Sequence, residues 1–238
     1  MSVTLAMLHT SHVLIPTFAQ LCKEYLPSTN VFHMVDESLI KNTIAAGGLT
    51  ASTTRRMAMM VGSAREGGAD AVMVTCSSIG PGVKVLRKLF DFPIFRIDEA
   101  MAEEATHRAR RIGVLATLQT TLDPSVQLLR EAGASNGHGI NVVPYLCSGA
   151  FDAILAGDTA KHNQIVAQAL KDLAQQVELI VLAQASMAGV IEKLPAEMKT
   201  VPILSSPELA IRQAAAVLQK MEGQSTSVPA SQVSSNRR

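Results

Sequence analysis

Residues 72–83 read V-M-V-T-C-S-S-I-G-P-G-V, an apolar run that stops at a cysteine, two hydroxyls and a Gly-Pro-Gly turn. The run from Val72 to Thr75 has the composition of a fully buried strand, and the turn residues end it. In a parallel α/β sheet, ligands sit in the crevice beyond the carboxyl ends of the strands. Cys76 stands at such a place, with backbone N–H groups and a following helix N-terminus that favour a thiolate. A free cysteine can equally be a small buried hydrophobe. This stretch alone leaves both readings open.

Upstream, Val3 to His9 reads as a first strand ending at Thr10-Ser11-His12. Helical spacing follows from Leu14 to Tyr25, with Pro16 near its start, where proline is tolerated. Asn30 to Val35 is a second strand, closed by Asp36-Glu37-Ser38. A helix after Gly47-Gly48 runs through Thr53 to Glu66 and ends at Gly67-Gly68, leading into the strand Ala69 to Thr75. Downstream, Val83 to Phe90 reads as a helix, Pro93 to Ile97 as a strand and Asp98 to Arg110 as a helix. Alternation of this kind predicts an α/β fold with parallel strands and helices on both faces.

At Arg111 the pattern restarts. R-I-G-V-L-A-T ends in Thr117 as L-A-M-L-H-T ended in Thr10, and Leu179 to Ala183 runs into Q-A-S-M-A-G as the earlier strand ran into C-S-S-I-G-P. Val201-Pro202-Ile203-Leu204 matches Phe92-Pro93-Ile94-Phe95, and Glu208 matches Glu99. The offset stays near about 108 residues throughout, the signature of an internal repeat. The chain thus divides into two similar α/β halves, 1–110 and 111–222, whose equivalent strand ends line one cleft. The C-terminal helix has the option of crossing between them. The tail 223–238 is Ser/Thr-rich without apolar periodicity and is expected to be disordered. Cys76 then faces Gln184, Ser78 faces Ser186, and Thr10 faces Thr117. The rim is rich in neutral donors, and its backbone N–H groups could hold a carboxylate without an arginine. Thr117, Thr120 and Thr121, in A-T-L-Q-T-T, fall where the restarted strand meets a loop before Asp123-Pro124. Ordinary turn and N-cap chemistry is the competing explanation for them.

A formal net charge of +1 and the absence of tryptophan argue against nucleic acid and membrane surfaces as partners. No apolar run reaches membrane-spanning length, and the N-terminus lacks the marks of a signal peptide. Cys22, Cys76 and Cys147 are an odd set without CxxC spacing, which suits free thiols in a cytoplasmic protein. The six histidines make no metal-ligand pattern. Cys22, on the apolar face of the first helix, reads as core. Cys147 ends a strand, and His9 and His12 flank another strand end, where a structural role is the commoner one. Arg108, Arg110 and Arg111 read as a solvated helix end.

The segments V-M-V-T-C-S-S (72–78), P-I-F-R-I-D-E-A (93–100), R-I-G-V-L-A-T-L-Q-T-T (111–121) and V-L-A-Q-A-S-M-A-G (181–189) resemble the aspartate/glutamate racemase superfamily. That superfamily includes hydantoin racemase, maleate isomerase and arylmalonate decarboxylase. The resemblance covers nearly the whole chain. It implies two pseudo-symmetric α/β domains around a small carboxylate or dicarboxylate, a dimer, no cofactor and no metal. It also implies two cysteines acting on opposite faces of the substrate α-carbon. By it, Cys76 is the first cysteine, and Ser77 and Ser78 take neighbouring substrate-binding positions, with Thr10 at the matching strand end. Thr117, Thr120 and Thr121 form the carboxylate-holding loop, and Ser186 and Met187 lie beside the second cysteine's position. That position here is Gln184, whose amide cannot exchange a proton as an acid or base near neutral pH.

Two-base racemization needs a proton taken from one face and returned to the other. The sequence therefore leaves several readings. One is a racemase- or isomerase-class enzyme working through Cys76 alone, as base or as nucleophile, with Gln184 orienting or polarising the substrate. Others are a one-cysteine decarboxylase, lyase or hydrolase, a binding protein for a small carboxylate, and racemization with His9, His12 or Cys147 as substitute acid.

Overall fold

The computed structural model describes residues 2–137, 139–193 and 199–226. The first half runs β1 (Thr4–His9), α1 (Ile15–Tyr25), β2 (Asn30–Val35), α2 (Glu37–Ala45), α3 (Ala51–Glu66), β3 (Ala71–Val74), α4 (Val83–Leu89), β4 (Ile94–Arg96) and α5 (Glu99–Arg108). The second runs β5 (Arg111–Ala116), α6 (Gln119–Ser135), β6 (Asn141–Leu146), α7 (Ala150–Leu155), α8 (Thr159–Ala174), β7 (Leu179–Leu182), α9 (Ala188–Lys193), β8 (Ile203–Ser205) and α10 (Ser206–Thr226).

Each half is a four-stranded parallel sheet, in the order β2-β1-β3-β4 and β6-β5-β7-β8. The registers repeat as well as the order. Leu5 to Leu8 pair with Ala71 to Val74, and Ile112 to Leu115 pair with Leu179 to Leu182. The internal repeat is therefore a repeat of structure, and it sets Thr10 against Thr117 and Cys76 against Gln184 as equivalent strand ends. Alternation across the sheet splits each core into two layers. In the first half Leu5, Met7, Ala71 and Met73 pack on α1, while Ala6, Leu8, Val72 and Val74 pack on α2, α3 and α4.

Two helices pack on the sheet of the other half. Met101, Ala102 and Ala105 of α5 join the core around β5 and β7. Ala210, Ile211, Ala214 and Leu218 of α10 join the core of β1 and β3 with Phe18 and Cys22. The crossing of α10 was an option in the sequence; that of α5 was not read there.

Several expectations change. The stretch after Asp36 holds a helix, α2, where Asp36 caps the end by accepting from Ser38 N–H; α7 was also not read. The loop expected before Asp123-Pro124 is the first turn of α6, which starts at Gln119 and carries Pro124 within it. Helix α10 extends to Thr226, past the expected tail boundary, and 227–238 lies outside the described residues. Among the described residues, no helix is long and apolar enough to cross a membrane.

Candidate functional site

Parallel pairing brings the carboxyl ends of β1, β3, β5 and β7 to corresponding edges of the two sheets. Thr10 leaves β1 buried, and Thr117 leaves β5 buried. Cys76, half-buried, stands between β3 and a 3-10 turn, Ser77–Gly82, which contains Pro81 and hands the chain to α4. Ser77 and Ser78 in that turn are buried.

The two halves meet through this turn. Ser78 Oγ lies 2.7 Å from Thr121 Oγ1 in the first turn of α6. Next to it, Thr120 Oγ1 is buried without a hydrogen-bond partner among the described residues. Leu118, the residue before α6, supplies no side-chain cap. The helix thus begins with uncapped N–H groups and an unpaired hydroxyl, an arrangement suited to an anion.

Gln184 is held in one orientation. Its Oε1 accepts from Thr117 N–H at 2.6 Å and from Thr117 Oγ1 at 2.9 Å. A backbone N–H can only donate, so the atom facing it is the amide oxygen. The Nε2 end, with two donors, points away from Thr117. Met187 is fully buried in the core of the second half with Leu170, Ile180 and Leu182. The Ser186 side chain lies outside the described residues.

Behind the Cys76 turn sits a buried ion pair that the sequence reading passed over. Arg96 Nε and Nη2 donate to the two carboxylate oxygens of Asp98 at 2.7 and 3.0 Å, and Nη2 also lies 3.4 Å from the Pro124 carbonyl of α6. Gly80 is what lets the guanidinium in: a Cβ there would stand 2.4 Å from Arg96 Nε. The free face of Gly80 is thus filled by Arg96. The signal was legible, since an arginine inside P-I-F-R-I-D must find a partner, and Asp98 is two residues on.

The remaining thiols and histidines separate cleanly. Cys22 is buried against Met7 Sδ, and burial pushes its thiol up to about 11. Cys147, just after β6, is buried in the second core and pushed up to about 12. His12 is exposed and bonds Glu37 Oε1 at 2.6 Å. His9 is fully buried, and burial, aided by neighbouring His33, lowers it to about 4. None of the three offered as a substitute acid is a free acid at the cleft. Arg108, Arg110 and Arg111 are exposed, as a solvated helix end requires. Among the described residues, no group of three or more His, Cys, Asp or Glu side chains could hold a metal ion.

Paired α/β halves with one accessible thiol among neutral hydroxyls define a class, the double-domain racemase-type folds. The chain belongs to the Asp/Glu/Hydantoin racemase family, whose model matches residues 7–214. It is 30% identical over 154 residues to the hydantoin racemase of Paenarthrobacter aurescens, a match spanning 63% of this chain and 62% of that enzyme. The chain thus spans less than two thirds of that relative. Among solved structures, a glutamate racemase isoform of Bacillus anthracis superposes with a TM-score of 0.71 at 19% identity, covering 92% of this chain and 82% of that one. The allantoin racemase of Klebsiella pneumoniae gives a TM-score of 0.66 at 19% identity, covering 93% and 89%. These superpositions establish the shared fold.

Proposed function

We propose that the chain is a cofactor-independent enzyme of the racemase/isomerase class in which Cys76 is the single reacting thiol. The observation that carries this reading is the contrast among the three cysteines. Only Cys76 is accessible, and it stands at a strand end beside buried hydroxyls, while Cys22 and Cys147 are core thiols.

The substrate class is a small carboxylate or a cyclic relative of the hydantoin type. Its anionic group lies against the uncapped start of α6, with Thr120 Oγ1 and one hydroxyl of the Ser78–Thr121 pair as donors, the pair's other hydrogen being shared between them. The Cys76 thiolate removes the proton from Cα, and the electron pair moves onto the adjacent carboxyl or carbonyl group. Preorganised N–H and O–H donors lower the energy of that developing charge. Gln184 supplies two more N–H donors from the opposite wall and no proton. The thiol then returns its proton to the face from which it came. The reaction is one-sided proton exchange at Cα, without racemization.

Proton NMR in D₂O with aspartate, glutamate, a hydantoin, maleate and a substituted malonate tests this. The expected result is deuterium entry at Cα with optical purity retained, lost in Cys76→Ala. Full racemization would overturn the one-base mechanism. Ligand-induced shifts without exchange in both proteins would make the chain a binding protein.

A further inference from the structure

The Cys76 strand end has a polar network behind it that its counterpart in the second half lacks. His9 closes β1, and Thr75 follows β3 beside it, because Leu8 pairs with Val74. Both are buried, and by alternation they lie on the α1 side of the sheet with Met7 and Met73. Cys76, one residue further, turns to the opposite side with Val74.

The protons of this network can be assigned. Thr75 Oγ1 has one hydrogen and donates it to the Leu8 carbonyl at 3.0 Å. Toward His9 Nδ1, 2.9 Å away, it must therefore accept. A neutral His9 protonated on Nδ1 has Nε2 left as acceptor, and that nitrogen takes the proton of His33 Nδ1 at 2.9 Å. The His9 ring stacks on His33 and tilts against Phe18, with centroids 5.1 and 5.5 Å apart. Every polar atom of the buried ring is thus used, and its neighbours set its plane.

At the matching positions of the second half stand Ala116 and Ala183, both fully buried. The repeat serves as its own control. This sheet architecture closes the same strand ends with two methyl groups, so the network is not required to build it. Burying polar groups costs free energy unless they are fully paired, and a fully paired network specifies one arrangement.

We propose that His9, held by His33, is a positioning residue for Cys76. It clamps Thr75 against the Leu8 carbonyl, which fixes the last turn of backbone before the thiol and, through His9 itself, the departure of Thr10 from β1. The proposal rests on the reading of Cys76 as the reacting group.

The test uses the full chain with His9→Ala/Thr75→Ala, which writes the second half's residues into the first. Its readouts are the melting curve, the iodoacetamide rate at Cys76 followed by peptide mass spectrometry, and kcat and KM for Cα exchange. The double variant is expected to fold, to change its alkylation rate at least about threefold, and to lose about tenfold or more in kcat with KM little changed. His9→Asn, which keeps one donor for Thr75, recovers kcat; His9→Phe, which fills the space without one, does not. A folded double variant with wild-type alkylation and kcat overturns the proposal. If the double variant does not fold, the Asn and Phe variants decide, and equal kcat in the two overturns it. Should Cys76→Ala leave exchange intact, the proposed function fails. The alkylation rate alone then tests the positioning of the thiol.

Discussion

At the end of β3 the chain sets an accessible thiol on a turn braced by the Arg96–Asp98 pair and by the Ser78–Thr121 contact. At the same place in the second sheet, after β7, it sets an amide whose oxygen is already bound by Thr117. One strand end carries a thiol, which has a proton to exchange, and the other an amide, which can only hydrogen-bond. Two sheets with the same strand order and register can therefore carry different chemistry, because function resides in the residues just past the strands and not in the strands.

The sharpest way to break the comparison is Cys76→Ala. Removing the only accessible thiol is expected to reduce Cα deuterium exchange about 100-fold or more, measured by NMR with melting unchanged. Gln184→Cys should instead erase the difference between the walls. Deuterium entry with retained optical purity would become racemization, followed by polarimetry, and its failure to appear would place the missing proton donor elsewhere. Gly80→Ala attacks the bracing on the thiol side alone. Its Cβ would collide with a buried guanidinium held by Asp98, so a loss of about 1–3 kcal/mol in denaturant unfolding is expected.

A fourth expectation concerns acid. His9 is lowered from 6.5 to about 4 in the folded protein, so below its ordinary value the unfolded chain binds a proton that the native state refuses. Its contribution to stability is complete above about pH 6.5 and falls away toward about pH 4. Melting temperature against pH should therefore fall more steeply in that window for the wild type than for His9→Ala/Thr75→Ala. The smallest effect is Ser78→Ala, which removes one cross-half hydrogen bond and should cost about 1 kcal/mol.

Much of this was legible in the sequence because it is local or repetitive. The strands announce themselves by β-branched runs, and the repeat by matched strand ends such as Thr10 with Thr117. Cys76 and the threonines 117, 120 and 121 were singled out as candidates by the same logic, and they stand just past β3 and β5 or in the first turn of α6. What stayed hidden depends on partners far along the chain. Thr120 and Thr121 were read where the strand meets a loop before Asp123-Pro124, yet a proline five residues into a helix removes only one hydrogen bond, and α6 runs through it. The His9–His33–Thr75 network joins residues 24 and 66 apart in sequence, and no spacing rule connects them. Met187 was drawn in by the resemblance, which puts it beside the second cysteine's position, whereas its side chain packs into the core of the second half.

The exchange of α5 and α10 between the sheets has a consequence for assembly. Each half completes its core with a helix that the other half's last strand delivers, which is how a domain-swapped dimer is built. Here both copies are one polypeptide, so the swap is intramolecular and independent of protein concentration. Neither half cut out alone would have a closed core, and mixing the two as separate chains should restore the fold only with concentration-dependent, second-order kinetics.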